Sequence, residues 1–216
     1  KNERSGYLRL YDINAGAFSI ASCAVQAGFE KSQIYCSDVS LYSSVIGYFL
    51  SNQNIADLEV RINDGNHEGI VTDVAEILLC IKYYAMGDNN FYAKQLKKEV
   101  KFNWAKYKEQ IENQLKTLYE HLGGIHYECR DMMDVVDMYK DDSDVIICAD
   151  PPGNKQGYFK MFDTDGIVEW KEPKFEIFDP KNGKQELIQI AAESEAGFLI
   201  RNYKEIPVQK INKVIA

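Results

Sequence analysis

The run Val145-Ile146-Ile147-Cys148-Ala149 constrains the fold of this chain more than any other segment. It holds five apolar residues without a polar interruption and runs into Asp150-Pro151-Pro152-Gly153. A strand with one wet face alternates apolar and polar residues, so an unbroken run belongs in a parallel sheet covered on both faces. Both covers must be helices, which makes the expected class α/β. The proline pair stops the strand and holds the backbone extended immediately beyond it.

The segments on either side supply the rest of such a fold. Tyr7 to Ile13 reads as a strand, Asn14-Ala15-Gly16-Ala17 as a tight turn, and Phe18 to Phe29 as a helix stopping at Gly28. A second strand, Gln33 to Ser37, ends at Asp38 and is followed by a helix over Leu41 to Leu50. This βαβα order predicts a mostly parallel, doubly wound sheet. Residues 55–122 then change to charge-laced helical segments, Val71 to Met86 and Tyr92 to Leu122, read as a helical insertion into a core made of 1–54 and 123–216. After Gly123-Gly124 come a strand over Ile125 to Cys129, the strand ending at Ala149, and a loop insertion over Asn154 to Asn182. Within that loop Ile167 to Trp170 and Lys174 to Phe178 are expected to pair as a small hairpin. A helix over Lys184 to Glu195 and a fifth strand over Gly197 to Asn202 complete the pattern.

Several function classes are disfavoured. No apolar run approaches the roughly 20 residues that cross a bilayer, and Lys1 to Ser5 does not resemble a signal peptide. The five cysteines, Cys23, Cys36, Cys80, Cys129 and Cys148, form no C-x-x-C pair, so reduced, buried thiols and a cytoplasmic protein are expected. His67, His121 and His126 show no metal-ligand spacing, so no metal is expected. Neither a phosphate-binding glycine loop with lysine nor a serine nucleophile elbow occurs, and a nicotinamide oxidoreductase would want more glycines in the first loop. The formal charge of -8 opposes non-specific phosphate binding unless positive charge gathers on one face.

In an open parallel sheet, ligands bind beyond the carboxyl ends of the strands. Four of the expected strands end in acidic positions: Asp12 with Asn14 to Gly16, then Asp38, Asp131 and Asp150. A small-residue loop followed about 20 residues later by a carboxylate is the spacing that holds a nucleoside cofactor by its ribose hydroxyls. Alone, that spacing also fits an ordinary strand-to-helix turn, because the loop has a single glycine. Asp150-Pro151-Pro152 adds a carboxylate beside rigid backbone carbonyls, an acceptor cluster suited to orienting an amine. Alone, the tripeptide also fits a capped strand end.

Taken together, these parts resemble the S-adenosylmethionine-dependent DNA adenine-N6 methyltransferases, whose hallmark is Asp-Pro-Pro followed by an aromatic residue. The resemblance spans roughly residues 6–202 and implies a Rossmann-like class I methyltransferase core. It implies that Asp12, Asn14, Ala15, Gly16 and Phe18 form the methionine-binding loop and that Asp38 is the ribose partner. Val39 and Met132 would flank the cofactor's adenine, with Asp131 accepting from its amine. Asp150, Pro151 and Pro152 would receive the target amine of a DNA adenine. The Asn-Ala-Gly-Ala loop is similar to that of phage-associated antirestriction adenine methyltransferases.

Two features depart from that pattern. Gly153 stands where the aromatic should be, leaving Tyr158 and Phe159 in the following loop as candidates to stack on an extruded base. About 14 residues follow Asn202, too few for the two further strands such sheets add, so the C-terminal strands are expected to be missing or atypical. Both departures leave a second reading open: a catalytically impaired, methyltransferase-like protein that binds cofactor or a partner of DNA-modifying systems. Lys94, Lys97, Lys98, Lys101, Lys106 and Lys108 of the insertion offer either a DNA-facing surface or a solvated helix face.

Overall fold

The computed structural model describes residues 7–86, 91–151 and 163–201. Five parallel strands form one sheet: β1 (Arg9–Asp12), β2 (Ile34–Ser37), β4 (His126–Glu128), β5 (Val145–Ala149) and β7 (Gly197–Ile200), in the order β4-β2-β1-β5-β7. The chain builds outward from β1 in one direction, then returns to pair β5 on its other side. Register is set by Leu10 opposite Ile34 and opposite Ile146. The switch in strand order therefore lies between β1 and β5, where a doubly wound sheet opens a crevice.

Side-chain alternation along the strands divides the core in two. Leu10, Ile34, Cys36 and Cys148 face one cluster, and Tyr11, Ile13, Val145, Ile147 and Ala149 the other. Helices α1 (Ser19–Ala27) and α2 (Leu41–Leu50), with α3 (Val74–Ala85), α4 (Phe91–Phe102) and α5 (Trp104–Leu122), supply the first cluster. Helices α6 (Met132–Tyr139) and α7 (Asn182–Glu193) cover the second. The expectation of a strand buried on both faces thus holds for β5. Beyond α6 the second face carries a ladder of rings, with Tyr11 stacked on Tyr35 at 4.7 Å and Tyr35 on His126 at 4.3 Å.

Four local expectations are corrected. The segment Tyr92 to Leu122 is two helices, because the Asn103 side chain bonds to the carbonyl of Glu99 and breaks the helical path between α4 and α5. The hairpin within 167–178 does not form: β6 (Val168–Glu169) pairs antiparallel with β3 (Arg61–Ile62), tying the late loop to the segment that follows α2. Helix α6 was not expected, although Asp131 caps it and Met132, Val135 and Val136 recur at helical spacing. Cys23 is exposed, because α1 turns Ala21 and Ala24 inward. Among the described residues no helix is long and apolar enough to cross a membrane.

Tyr127 at the centre of β4 locks α2 onto the sheet. Its hydroxyl lies 3.1 Å from Ser44 Oγ and donates to the carbonyl of Asp38 at 3.2 Å. Its ring lies so close to Gly47 that a Cβ there would stand 2.2 Å from it. A rigid, doubly bonded ring cannot step aside cheaply. Gly47→Ala is therefore expected to lower unfolding stability by about 1 to 3 kcal/mol through overpacking. Urea unfolding checks this, and an unchanged midpoint would contradict the packing described.

Candidate active site at the carboxyl edge of the sheet

The loop after β1 is stretched across the switch point by its own backbone. Ile13 donates to the Cys148 carbonyl of β5 at 3.0 Å, and Ala15 donates to the Ser37 carbonyl of β2 at 3.0 Å. Gly16 takes a left-handed φ of 49°, a conformation that costs glycine nothing, and its N–H reaches Asp38 Oδ2 at 2.9 Å. The other Asp38 oxygen accepts from Ser40 N at 2.9 Å, and Ser43 Oγ donates to the Gly16 carbonyl at 3.0 Å. Asp38, buried to 4 % exposure, thus clamps the first loop to the start of α2. Val39 follows it, half-buried.

Phe18 also adopts the left-handed region, at φ 62°, and its ring is fully buried against Tyr127. The surface of that ring is consumed by core packing, so Phe18 shapes the loop through its backbone rather than offering a side chain to a ligand. Ala15 is buried beside it.

Asp12 is the unusual member. It is 0 % exposed, and among the described residues neither carboxylate oxygen has a hydrogen-bond partner of good geometry, the backbone N–H groups of Asn14 and Ala21 giving only weak contacts. Asn14 Oδ1 and Ser37 Oγ share that condition. All four unsatisfied atoms gather at the carboxyl ends of β1 and β2. Unpaired buried polar atoms cost on the order of 1 to 3 kcal/mol each, so their clustering marks a site rather than a packing accident. Burial pushes the Asp12 carboxyl up to about 7; the Asn14 backbone N–H opposes the rise, and the charges of Asp38 and Asp150 add to it. The charges of Asp38 and Asp150 therefore reach Asp12 at this edge, and a cation there would favour its ionised form.

Asp131 and Met132 stand on the opposite wall. Asp131 Oδ1 caps α6 through Met133 N at 2.8 Å, and Oδ2 accepts from Glu176 N at 3.3 Å. Both residues line a cavity of about 660 Å³ closed by Lys174 to Asp179 and the start of α7. Asn14 joins the two neighbourhoods, its Nδ2 lying 3.3 Å from the Met132 sulfur. Asp150 is partly exposed at the end of β5 and pairs with Arg201 at 3.1 Å, and Pro151 is buried. Pro152, Gly153, Tyr158 and Phe159 lie outside the described residues.

Residues 3–213 match the family model described as Phage DNA Adenine Methylase-like domain 1. The chain belongs to this phage DNA adenine methylase-like family. No curated protein and no solved structure matches it. In this methylase-like chain the site expectations named the ends of β1, β2 and β5 and the start of α6, and the fold brings all four to one edge. Sequence reasoning missed Ser37, Arg201 and the clamp of Ser40 and Ser43. Ser40 carried a signal as the N-cap of α2; Arg201 carried none, because its partner is 51 residues away.

The raised Asp12 carboxyl fixes the sign of a pH dependence. Its folded value of about 7 exceeds its ordinary 3.8, so the folded state holds a proton that the unfolded state has lost between those values. Stability from this group falls as pH rises through that window and is level above it. Asp12→Asn is expected to cancel this loss, so the variant gains on the parent from pH 5 to pH 7 at up to about 1.4 kcal/mol per pH unit. Thermal unfolding at several pH values checks this; a constant difference would contradict it.

Proposed function

We propose that this family member is an S-adenosylmethionine-dependent methyltransferase that methylates the exocyclic N6 amine of adenine in DNA, on a Rossmann-like class I methyltransferase core. The observation carrying the proposal is the cluster of unsatisfied acceptors on Asp12, Asn14 and Ser37 beside Asp38 and Asp150. The cofactor suits it: its methionine half bears an ammonium group and a sulfonium, both cationic, and its ribose bears hydroxyl donors. Asp12, Asn14, Ala15 and Gly16 would hold the methionine half, Asp38 the ribose, and Val39, Asp131 and Met132 the adenine. Asp38 and Asp131 also accept from backbone N–H groups, which fix the direction of their carboxylates. Because Asp12 is fully enclosed, a ligand reaches it only when the loop after β1 shifts.

When bound, S-adenosylmethionine supplies an electrophilic methyl group. The chain's own contribution is placement. Asp150, with the carbonyl of Pro151, accepts the two protons of the target amine and turns its lone pair towards the methyl carbon. The proton lost on methylation leaves through the Asp150 carboxylate. Removing that acceptor is expected to lower transfer by about 100-fold or more in Asp150→Ala, with cofactor affinity changed by less than about 3-fold. Single-turnover transfer and titration calorimetry check this; full activity in the variant would sink the assignment of Asp150.

Two observations favour the second reading, a protein that binds without methylating. Arg201 engages the Asp150 carboxylate at 3.1 Å, and Gly153 offers no ring to grip an extruded adenine. In the methylating reading, Arg201 must release Asp150 when the amine arrives, and Tyr158 or Phe159 takes the stacking role.

The insertion supplies a surface for DNA. Lys94, Lys98, Lys101 and Lys106 are exposed on α4 and α5, as are the rings of Phe91, Tyr92 and Phe102. Lys97 and Lys108 are turned elsewhere, Lys97 over the Tyr83 ring and Lys108 onto Asp73. Four exposed lysines among aromatics on an otherwise acidic chain form a basic patch that can contact phosphates. Reversing Lys94, Lys98 and Lys101 to Glu is expected to cost about 10-fold or more in DNA affinity and to lower the salt slope by roughly 2 to 3. An unchanged slope would place DNA elsewhere.

A further inference from the structure

In the insertion, the loop after β3 folds back onto α3 and α5 and joins side chains that their spacing does not group. His67 Nδ1 lies 3.0 Å from Asp64 Oδ1, and its Nε2 lies 3.3 Å from Glu76 Oε1. Cys80, one turn along α3, has its Sγ 3.9 Å from the same Glu76 oxygen. A nitrogen, an oxygen and a sulfur donor stand within 4.8 Å of one another. In a tetrahedral zinc centre, with bonds near 2.0 Å to nitrogen and oxygen and near 2.3 Å to sulfur, adjacent donors stand about 3.3 to 3.6 Å apart. The cluster meets this spacing between nitrogen and oxygen, at 3.3 Å, and exceeds it by a few tenths of an ångström between oxygen and sulfur, at 3.9 Å, so a rotation of the Cys80 side chain towards His67 would close the set.

We propose that His67 Nε2, Glu76 Oε1 and Cys80 Sγ form a three-ligand site for a zinc(II) ion, with Asp64 holding the imidazole from behind. The mixed donor set selects a borderline-soft cation over magnesium or calcium, which want oxygen alone. The surroundings match what orients metal ligands. Asp64 fixes the His67 ring through Nδ1 and is itself held by Asn66 N and by the Tyr84 hydroxyl, each at 2.8 Å. Glu76 is aimed by the Trp104 indole N–H at 2.9 Å, while Lys108 lies 3.5 Å from its other oxygen. A cavity of about 530 Å³, lined by Tyr83, Tyr84 and Trp104, gives room for a water as fourth ligand.

Binding takes the proton from Cys80 Sγ and the proton that His67 Nε2 shares with Glu76, both passing to solvent, while Nδ1 keeps its proton towards Asp64; the charges of thiolate and carboxylate balance the dication. Its role is to pin the loop to α3, since His67 comes from one and Glu76 and Cys80 from the other. No part of this site uses S-adenosylmethionine, so its fate is separate from that of the methyl-transfer reading.

The test is cobalt(II) titration of the chelator-stripped full chain. One equivalent is expected to bind with tetrahedral visible bands and a thiolate-to-cobalt charge-transfer band, both erased by zinc, and zinc is expected to raise the unfolding temperature. Cys80→Ser removes the charge-transfer band, and Asp64→Asn weakens binding about 10- to 100-fold. Because Cys80 is buried and its variant can misfold, X-ray absorption of the zinc-loaded parent chain provides a second readout, one sulfur among nitrogen and oxygen donors. Failure of the parent chain to bind cobalt, or binding without sulfur, overturns the site and leaves a histidine bridging two carboxylates.

Discussion

Pairing of β1 with β5 is the constraint on which the rest of the molecule depends. These strands are far apart in sequence yet lie in register from Arg9 opposite Val145 to Asp12 opposite Cys148. The pairing puts one strand that continues through β2 beside another that continues through β7, so their following loops diverge and leave a crevice. It also buries Asp12 between two apolar clusters. An acidic side chain in that position is met only by weak contacts with the backbone N–H groups of Asn14 and Ala21. The energetic cost is accepted at the crevice where the proposed cofactor would enter.

The clamp formed by Asp38 follows from the same geometry. With Ala15 bound to Ser37 and Gly16 bound to Asp38, the first loop is held in one conformation along the edge. Preorganised backbone of this kind lowers the ordering cost of a ligand, which otherwise subtracts from affinity. Asn14, reaching the Met132 sulfur, carries that order across to the cavity beside Asp131. The acidic edge and the lysine-bearing α4 divide labour in the proposed reaction: one collects a cationic cofactor, the other meets an anionic polymer.

The sheet was legible because its strands are short apolar runs ending in acidic or proline punctuation, signals that survive without tertiary context. The acidic strand ends were legible for the same reason. What escaped depends on contacts between distant segments: β3 with β6, Arg201 with Asp150, and His67 with Glu76 and Cys80. The long helix was read through Asn103 because periodicity continues on both sides of it, while the side-chain bond that breaks it is local and specific. Phe18 looked like a ligand contact from its place in the loop, yet its backbone conformation and core packing decide its role.

The most direct test of the account is transfer of labelled methyl from S-adenosylmethionine to unmethylated phage DNA by the unaltered chain, followed by digestion to nucleosides. Label is expected on N6-methyladenine and on no other base. Cofactor binding without any label on DNA would contradict the methyltransferase reading and favour a protein that binds at the same edge without carrying out the transfer.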